Sequence, residues 1–510
     1  MPDYSENNKR IAKNTLLLYL RQLFTMAVGL YTSRVILDSL GIEDYGIYNV
    51  VAGVVAMFSL FTGALSNAIS RFLTFALGKG DKERLSEIFS TSVTIQSTLA
   101  AIVIVIAEIV GIWFLNTQMN IPYNRLYAAN WVMHLSIINF AINLISVPYN
   151  ATIIAHEKMT VFAYISILEV VLKLVIVYLL YISPFDKLIT YAVLFASVAL
   201  LIRIVYGIYC TRNFEECHFK FVFDKSLLKE MGGYAGWNFF GSASFLFYTQ
   251  GVNIATNLFF DVTVNAARGI ANQVEGIVKN FVTNFTTALN PQITKSYAIG
   301  DYSYTFKLVC KGAKYSSFLM LLLCLPFWFE AEQIMFIWLK NYPDYAPLFL
   351  RLTLIVTFID LMGNSLANAI WATGKVKRYY AIISPVSLMV LPVSCILFWA
   401  GLPAYISYVV TIVIYFAIQF IRLKIAKDIL NFPVNDYIRE VFLRVGLVTL
   451  ISFIIPSIFY LLMPKTYVRT IVVVLMSLVS VLICVYTVGL EQSEKKTVVV
   501  ALLKRIPLKK

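Results

Sequence analysis

Long apolar stretches recur along this chain, separated by short segments that are polar, basic or rich in glycine and proline. TLLLYLRQLFTMAVGLYTS (15–33), STLAAIVIVIAEIVGIWFL (97–115) and RTIVVVLMSLVSVLICVYTVGL (469–490) are examples. A helix rises about 1.5 Å per residue, so about 20 such residues cross the roughly 30 Å of bilayer hydrocarbon. The pattern predicts an all-α polytopic membrane protein with about 14 transmembrane helices. They fall near 13–36, 46–70, 89–115, 126–150, 160–182, 188–210, 232–258, 263–289, 311–337, 348–371, 379–400, 403–425, 440–463 and 468–490. The eighth, within VNAARGIANQVEGIVKNFVTNFTTALN, is polar enough to pass for a soluble helix, so it cannot face lipid all round.

A phrase is written twice. GIYNVVAGVV (46–55) returns as GIANQVEGIV (269–278), each opening a span, the second and the eighth. Asn67 and Asn290 follow in register, then FALGKGD (75–81) and YAIGD (297–301). NATIIAHEKMTVFAYIS (150–166) likewise parallels NAIWATGKVKRYYAIIS (368–384) with one small gap. Repeats of this kind are a signature of secondary transporters. The expected organisation is therefore two six-helix bundles, 1–210 and 211–430, two additional transmembrane helices in 431–490, and a basic tail, 491–510. Six spans per repeat is an even number, so the halves are oriented alike.

Composition narrows the function. Of 510 residues, 59% are hydrophobic and 14% charged, a balance that excludes an ordinary soluble protein. The opening MPDYSENNKRIAKN is polar and the run after it is too long for a cleaved leader. Cys210, Cys217, Cys310, Cys324, Cys395 and Cys484 are scattered without a CxxC pair, so no disulfide framework, metal site or cofactor is expected. Tails and alternate loops hold about 28 Lys and Arg against about 5 in the others, which places both termini in the cytoplasm. The net charge of +14 then reads as positive-inside bias and attraction to anionic lipid, not as nucleic-acid binding. GKGD (78–81) lacks the frame of a phosphate-binding loop, and no His/Asp/Glu cluster points to an enzyme.

Polar residues recur at spacings of three and four within several spans. Ser136, Asn139, Asn143, Ser146 and Asn150 stripe the fourth; Thr353, Thr357, Asp360, Asn364 and Asn368 the tenth; Asn272, Glu275, Lys279, Thr286 and Asn290 the eighth. Such stripes serve either as hydrogen-bond glue between helices or as the lining of a hydrated cavity, and the number of helices sharing them favours the cavity. Arg21 lies about two turns inside the first span, Arg34 near its outer end, Arg268 at the entrance to the eighth and Arg71 at the inner end of the second. Arginine suits an anionic headgroup, whose phosphates it binds by paired hydrogen bonds. For Arg34 and Arg71, snorkelling to an interface or capping a helix is an equal alternative, and for Arg21 the alternative is a buried structural pair. Among the acids, Glu275 with Lys279 and Glu169 with Lys173 are spaced to neutralise each other. Glu108 and Asp360 have no such partner on their own helix. Asp360 is the preferred proton or cation site, whereas Glu108 has a neighbouring helix as its alternative partner and His134 reads as a hydrogen-bonded bundle residue.

KNTLLLYLRQLF, RVILDSLGIEDYGIYNVVAG, SRFLTFALGKGDKER and the six-span repeat with two extra helices resemble the polysaccharide-exporter branch of the multidrug/oligosaccharidyl-lipid/polysaccharide (MOP) superfamily. Within it the chain is similar to bacterial O-antigen (Wzx-like) flippases. The resemblance implies a MATE-like fold around a central cavity, and alternating access that carries a polyprenyl-pyrophosphate-linked oligosaccharide from the inner to the outer leaflet of the bacterial cytoplasmic membrane. Ion coupling through H+ or Na+, contact with membrane lipids and association with polysaccharide assembly proteins are part of the same expectation. Arg21, Arg34, Arg268, Asn139, Asn143, Asn272, Asn364 and Asn368 are the expected cavity residues, with Asp360, Glu275 and Glu108 as ion-coupling candidates. A multidrug:cation antiporter of the same superfamily is the alternative. A membrane-embedded polymerase or glycosyltransferase is the least favoured reading, because the outer loops are too short to carry a catalytic domain.

Overall fold

The computed structural model describes residues 5–56, 59–117, 121–220, 224–260, 262–339 and 342–495. The described residues form fourteen helices: α1 (Ser5–Ala56), α2 (Ser59–Lys79), α3 (Lys82–Thr117), α4 (Tyr123–Ala155), α5 (Met159–Ile182), α6 (Lys187–Asn213), α7 (Lys225–Phe259), α8 (Val262–Ile299), α9 (Tyr302–Leu339), α10 (Ala346–Ala372), α11 (Val376–Trp399), α12 (Ile406–Leu430), α13 (Val434–Leu462) and α14 (Tyr467–Gly489). Short interruptions fall at Gly363 in α10, Met389 in α11 and Phe453 in α13. One expected edge moves: helical hydrogen bonding continues through 37–45, where a turn was expected, and the break comes after Ala56. That stretch contains no proline to remove a donor, and its Asp44 is fixed by Arg125.

Among the described residues, ten helices are long and apolar enough to cross a membrane, so this is an all-helical multi-span membrane protein. The four that fall outside this group are α1, α2, α7 and α8. Under the six-span repeat these are the first two helices of each half. The ends of α2 and α8 are built alike. α2 ends with Asp81 N donating to Ala76 O (3.2 Å) and α8 with Asp301 N donating to Ser296 O (3.0 Å), around Gly80 and Gly300 at φ +72° and +86°.

The chain divides into two compact units. The first comprises Met1–Ala243 with Pro291–Asp301, the second Ser244–Asn290 with Tyr302–Lys510, so α7 and α8 contribute to both. In the first unit α4 is central, packing against α3, α6, α2 and α1. Its core places Ala128, Ala129 and Ala141 beside Ala100, Ala107, Ile137 and Leu144. Small side chains at such positions let backbones approach, which is how helices associate without a hydrophobic drive. Where α4 and α6 begin, Arg125 pairs with both Asp44 and Asp186, the latter at 2.6 Å. Burial opposes ionisation of Asp186, but Arg125 and the amides of Ile189 and Leu188 hold its carboxyl below the usual range. At the opposite ends of these helices His156 bonds Glu216 (2.5 Å) and stacks on Phe214, with ring centroids 4.2 Å apart.

In the second unit α9 packs against α10 and α14, over a core that includes Met320, Ala331, Phe349 and Leu350. α14 and the residues after it are tied to α9 at both ends. Lys314 meets Glu494 at 2.8 Å, and Glu330 meets Arg469 at 2.9 Å with the Thr470 hydroxyl donating to the same carboxylate at 3.0 Å. The Lys465–Glu332 pair nearby (2.8 Å) is exposed. Removing one member of a buried pair strands the other and costs about 3–5 kcal/mol, whereas an exposed pair contributes about 0–1 kcal/mol. Arg469→Met should therefore lower the unfolding temperature in detergent far more than Lys465→Met. Equal shifts for the two variants would show that the buried pair does not anchor α14.

Candidate functional site

The polar stripes of α8 and α10 face each other. The Thr357 hydroxyl donates to Glu275 (2.6 Å), Lys279 Nζ lies 3.8 Å from Glu275 and 4.0 Å from Asp360, and Asn368 Nδ2 donates to Asn290 Oδ1 (2.6 Å). Partners advance together along both sequences, so the two helices run in the same direction, as the single helix α9 between them requires. Periodicity explains the meeting. Residues spaced three and four apart form one face of a helix, and in an apolar solvent two polar faces satisfy each other.

The other side of Asp360 is held from α12. Arg422 Nη2 bonds Asp360 Oδ1 (3.0 Å), its Nη1 bonds the Asp360 carbonyl (3.2 Å), and its Nε meets the Tyr379 hydroxyl (3.1 Å). Gln419 Nε2, one turn earlier, donates to the Ile359 carbonyl (2.9 Å). A Cβ on Gly363 would meet both Gln419 Oε1 and Arg422 Nη1, so glycine leaves room for these two side chains. Asp360 is thus shared by two cations, the buried Arg422 and the less enclosed Lys279. Glu275, Lys279, Asp360 and Arg422 sum to zero charge. Of the two cations, Lys279 is the more distant from Asp360.

The remaining expected residues lie as follows. Arg268 is half-buried, its Nη1 3.3 Å from the Ser407 hydroxyl and its guanidinium carbon 4.9 Å from the centre of the Tyr408 ring. Asn272 is exposed on α8, and Asn364 follows directly after Gly363. In the first unit the Arg21 guanidinium carbon lies 5.0 Å from the centre of the Phe162 ring of α5. Asn143 is exposed and donates to the Asn139 carbonyl one turn earlier (2.9 Å). Glu108 finds its partner on the neighbouring helix, at 2.7 Å from His134 Nδ1, and Glu169 pairs with Lys173 at 2.6 Å. The side chain of Arg34 lies outside the described residues. A cleft of about 680 Å³ bordered by Lys82, Glu87, His156 and Glu216, and an apolar one of about 240 Å³ beside Trp328 and Arg351, contain none of the expected site residues.

A sequence profile described as "Polysaccharide biosynthesis protein" matches residues 11–297. The chain belongs to the polysaccharide biosynthesis protein family. A relative from Bacillus subtilis (strain 168), named "Uncharacterized membrane protein EpsK", is 20% identical over 329 residues, which is 64% of this chain. The chain spans 65% of that relative's length. Among solved structures, a multidrug resistance MATE family transporter of the MOP superfamily, in its outward-facing conformation, aligns over 82% of this chain and 96% of its own, with TM-score 0.66 and 12% identity. The MATE transporter ClbM in complex with Rb+ aligns over 81% and 94%, with TM-score 0.68 and 14% identity. The fold of this polysaccharide biosynthesis protein is therefore MATE-like, a MOP-superfamily fold.

Sequence reading placed Asp360 and Glu275 but missed Arg422, because RLKIAKD looks like one of the basic inner loops. The available signal was Gln419 and Arg422 spaced by three within FAIQFIRL, an apolar run. A double-mutant cycle tests the pair. Asp360→Asn alone should cost about 3–5 kcal/mol by stranding Arg422, and adding Arg422→Met should recover most of that loss. Additive losses in thermal melts would mean that the two residues act independently.

Proposed function

We propose that this protein is a flippase that moves an undecaprenyl-pyrophosphate-linked oligosaccharide, a repeat unit of O-antigen, capsule or exopolysaccharide, across the bacterial cytoplasmic membrane. In this reading all fourteen helices cross the bilayer, both termini are cytoplasmic, and the polar face of α8 lines the aqueous path of the sugar. The observation that carries it is the character of α8. This helix exposes Asn272, Gln273 and Asn280 while belonging to a membrane bundle, and hydrocarbon cannot solvate those side chains. A sugar's hydroxyl groups can. Family membership supports the glycan as cargo, and Arg21, Arg34 and Arg268 supply cations for its pyrophosphate, with Asn139, Asn143, Asn272, Asn364 and Asn368 as hydrogen-bonding positions.

Movement by alternating access needs a difference in free energy between two arrangements. The Glu275–Lys279–Asp360–Arg422 cluster is the leading place to couple a proton or sodium ion to that difference, through displacement of Lys279. Glu108 with His134 is a second titratable pair. The competing reading, a multidrug:cation antiporter, is favoured by one observation, the MATE-like fold itself.

Purified protein in liposomes separates the two readings. Leaflet transfer of the glycolipid, without gradient-driven transport of a cationic dye, is the expected result; dye transport alone would move the chain to the antiporter class. Arg21→Ala should reduce glycolipid transfer by about tenfold, the scale of one lost charge-assisted phosphate contact, while the protein still inserts and folds. Asp360→Asn should blunt the response to an imposed proton or sodium gradient, and an unchanged response would remove Asp360 from coupling.

A further inference from the structure

Glu157 occupies a position at which glutamate is out of place. It lies in the turn between α4 and α5 with φ +58°, in left-handed backbone that side chains other than glycine and asparagine rarely adopt. The internal repeat provides a direct comparison. Aligning NATIIAHEKM with NAIWATGKV sets Glu157 against Gly374 and Lys158 against Lys375. The two turns share their backbone path, although the Lys158 amide bonds the Ile153 carbonyl and the Lys375 amide the Thr373 hydroxyl. Glu157 N bonds the Ile154 carbonyl (2.9 Å) and Gly374 N the Trp371 carbonyl (3.0 Å). The next residues, Lys158 and Lys375, share φ −81° with ψ 54° and 50°. Gly374 has φ +80°. The second half uses the residue that the backbone favours; the first half accepts strain to carry a carboxylate.

That carboxylate is buried and used on both oxygens. Gln292 Nε2 donates to Oε2 at 2.5 Å and Lys295 Nζ to Oε1 at 2.7 Å, while the Glu157 carbonyl accepts from Asn14 Nδ2 of α1 at 3.3 Å. Both side-chain partners lie on α8 just beyond Pro291, which interrupts the helical hydrogen bonds. Pro291 is also where α8 passes from the second unit to the first. The same short segment fits closely against α2: a Cβ on Gly78 would stand 2.8 Å from the Ala298 Cβ and 3.1 Å from the Lys295 carbonyl oxygen. Gly78 and Ala298 are themselves equivalent positions in the FALGKGD and YAIGD repeat.

We propose that Glu157 is a positioning residue of the transport cycle, a latch whose carboxylate holds the end of α8, Pro291–Asp301, in one arrangement and releases it in the other. The inference rests on the transport reading above. Before Pro291, α8 carries Glu275 and Lys279 of the charge cluster; after it, the helix is held by Glu157. One helix thus connects the proposed coupling site to the Glu157 carboxylate.

The test uses the full-length chain with Ser296→Cys, a near-isosteric change at a buried position of the latched segment. Maleimide labelling of that cysteine should be slow with Glu157 present, and should accelerate by about tenfold or more in Glu157→Gln and in Glu157→Gly, as expected for removing charge-assisted bonds. Glu157→Gly carries the control for folding, because glycine suits this backbone. If Glu157 only shapes the turn, the glycine variant will label as slowly as the parent, and the latch is overturned. Labelling needs no glycolipid. A parent protein that transfers no glycolipid would refute the transport reading while accelerated labelling still stood, and unchanged labelling beside intact glycolipid transfer would refute the latch alone.

Discussion

A charge buried away from water must find a partner within the protein, and that requirement organises this molecule. Glu330 is held by Arg469, Glu494 by Lys314, Asp360 by Arg422, and Glu157 by Lys295. Each pair joins segments distant in sequence, so each fixes a helix against a neighbour as well as neutralising a charge. Hydrophobic burial cannot do this, because lipid tails compete equally for an apolar face. Ion pairs and small-residue contacts take over, the former in both units, the latter in the alanine-lined core around α4.

The same requirement separates fixed contacts from exchangeable ones. An arginine within 3 Å of a buried carboxylate is costly to remove, and the Arg422–Asp360 and Arg469–Glu330 contacts belong to the frame. Lys279 on α8 differs. It stands at 3.8 Å and 4.0 Å from two carboxylates, committed to neither. α8 therefore carries the contact best suited to exchange, and it passes from one compact unit to the other.

Much of this was legible in the sequence. Hydropathy located the ten apolar spans, and FALGKGD and YAIGD fall at helix ends of the same build. Stripes at spacings of three and four placed Glu275, Asp360 and Asn368 on faces that meet. What sequence could not supply was the third dimension. Arg422 looked like a loop charge because the end of a membrane helix and a basic loop have the same composition. Glu157 looked like part of a basic HEK turn, since backbone conformation is invisible in composition; only comparison with Gly374 shows that a glycine position was given to glutamate. The partner of Glu108 was left open for a similar reason, because contacts between helices follow from packing rather than from spacing along one helix.

The account depends most on the claim that the polar face of α8 meets water. Single cysteines at Asn272, Gln273 and Asn280, compared with cysteines at Leu447 and Ile454 on the exposed apolar face of α13, test it directly with a water-soluble maleimide. Reaction at the α8 positions and silence on α13 is the predicted result. Equal silence at both would mean that α8 is sealed against water, and that no aqueous path for a sugar runs along it.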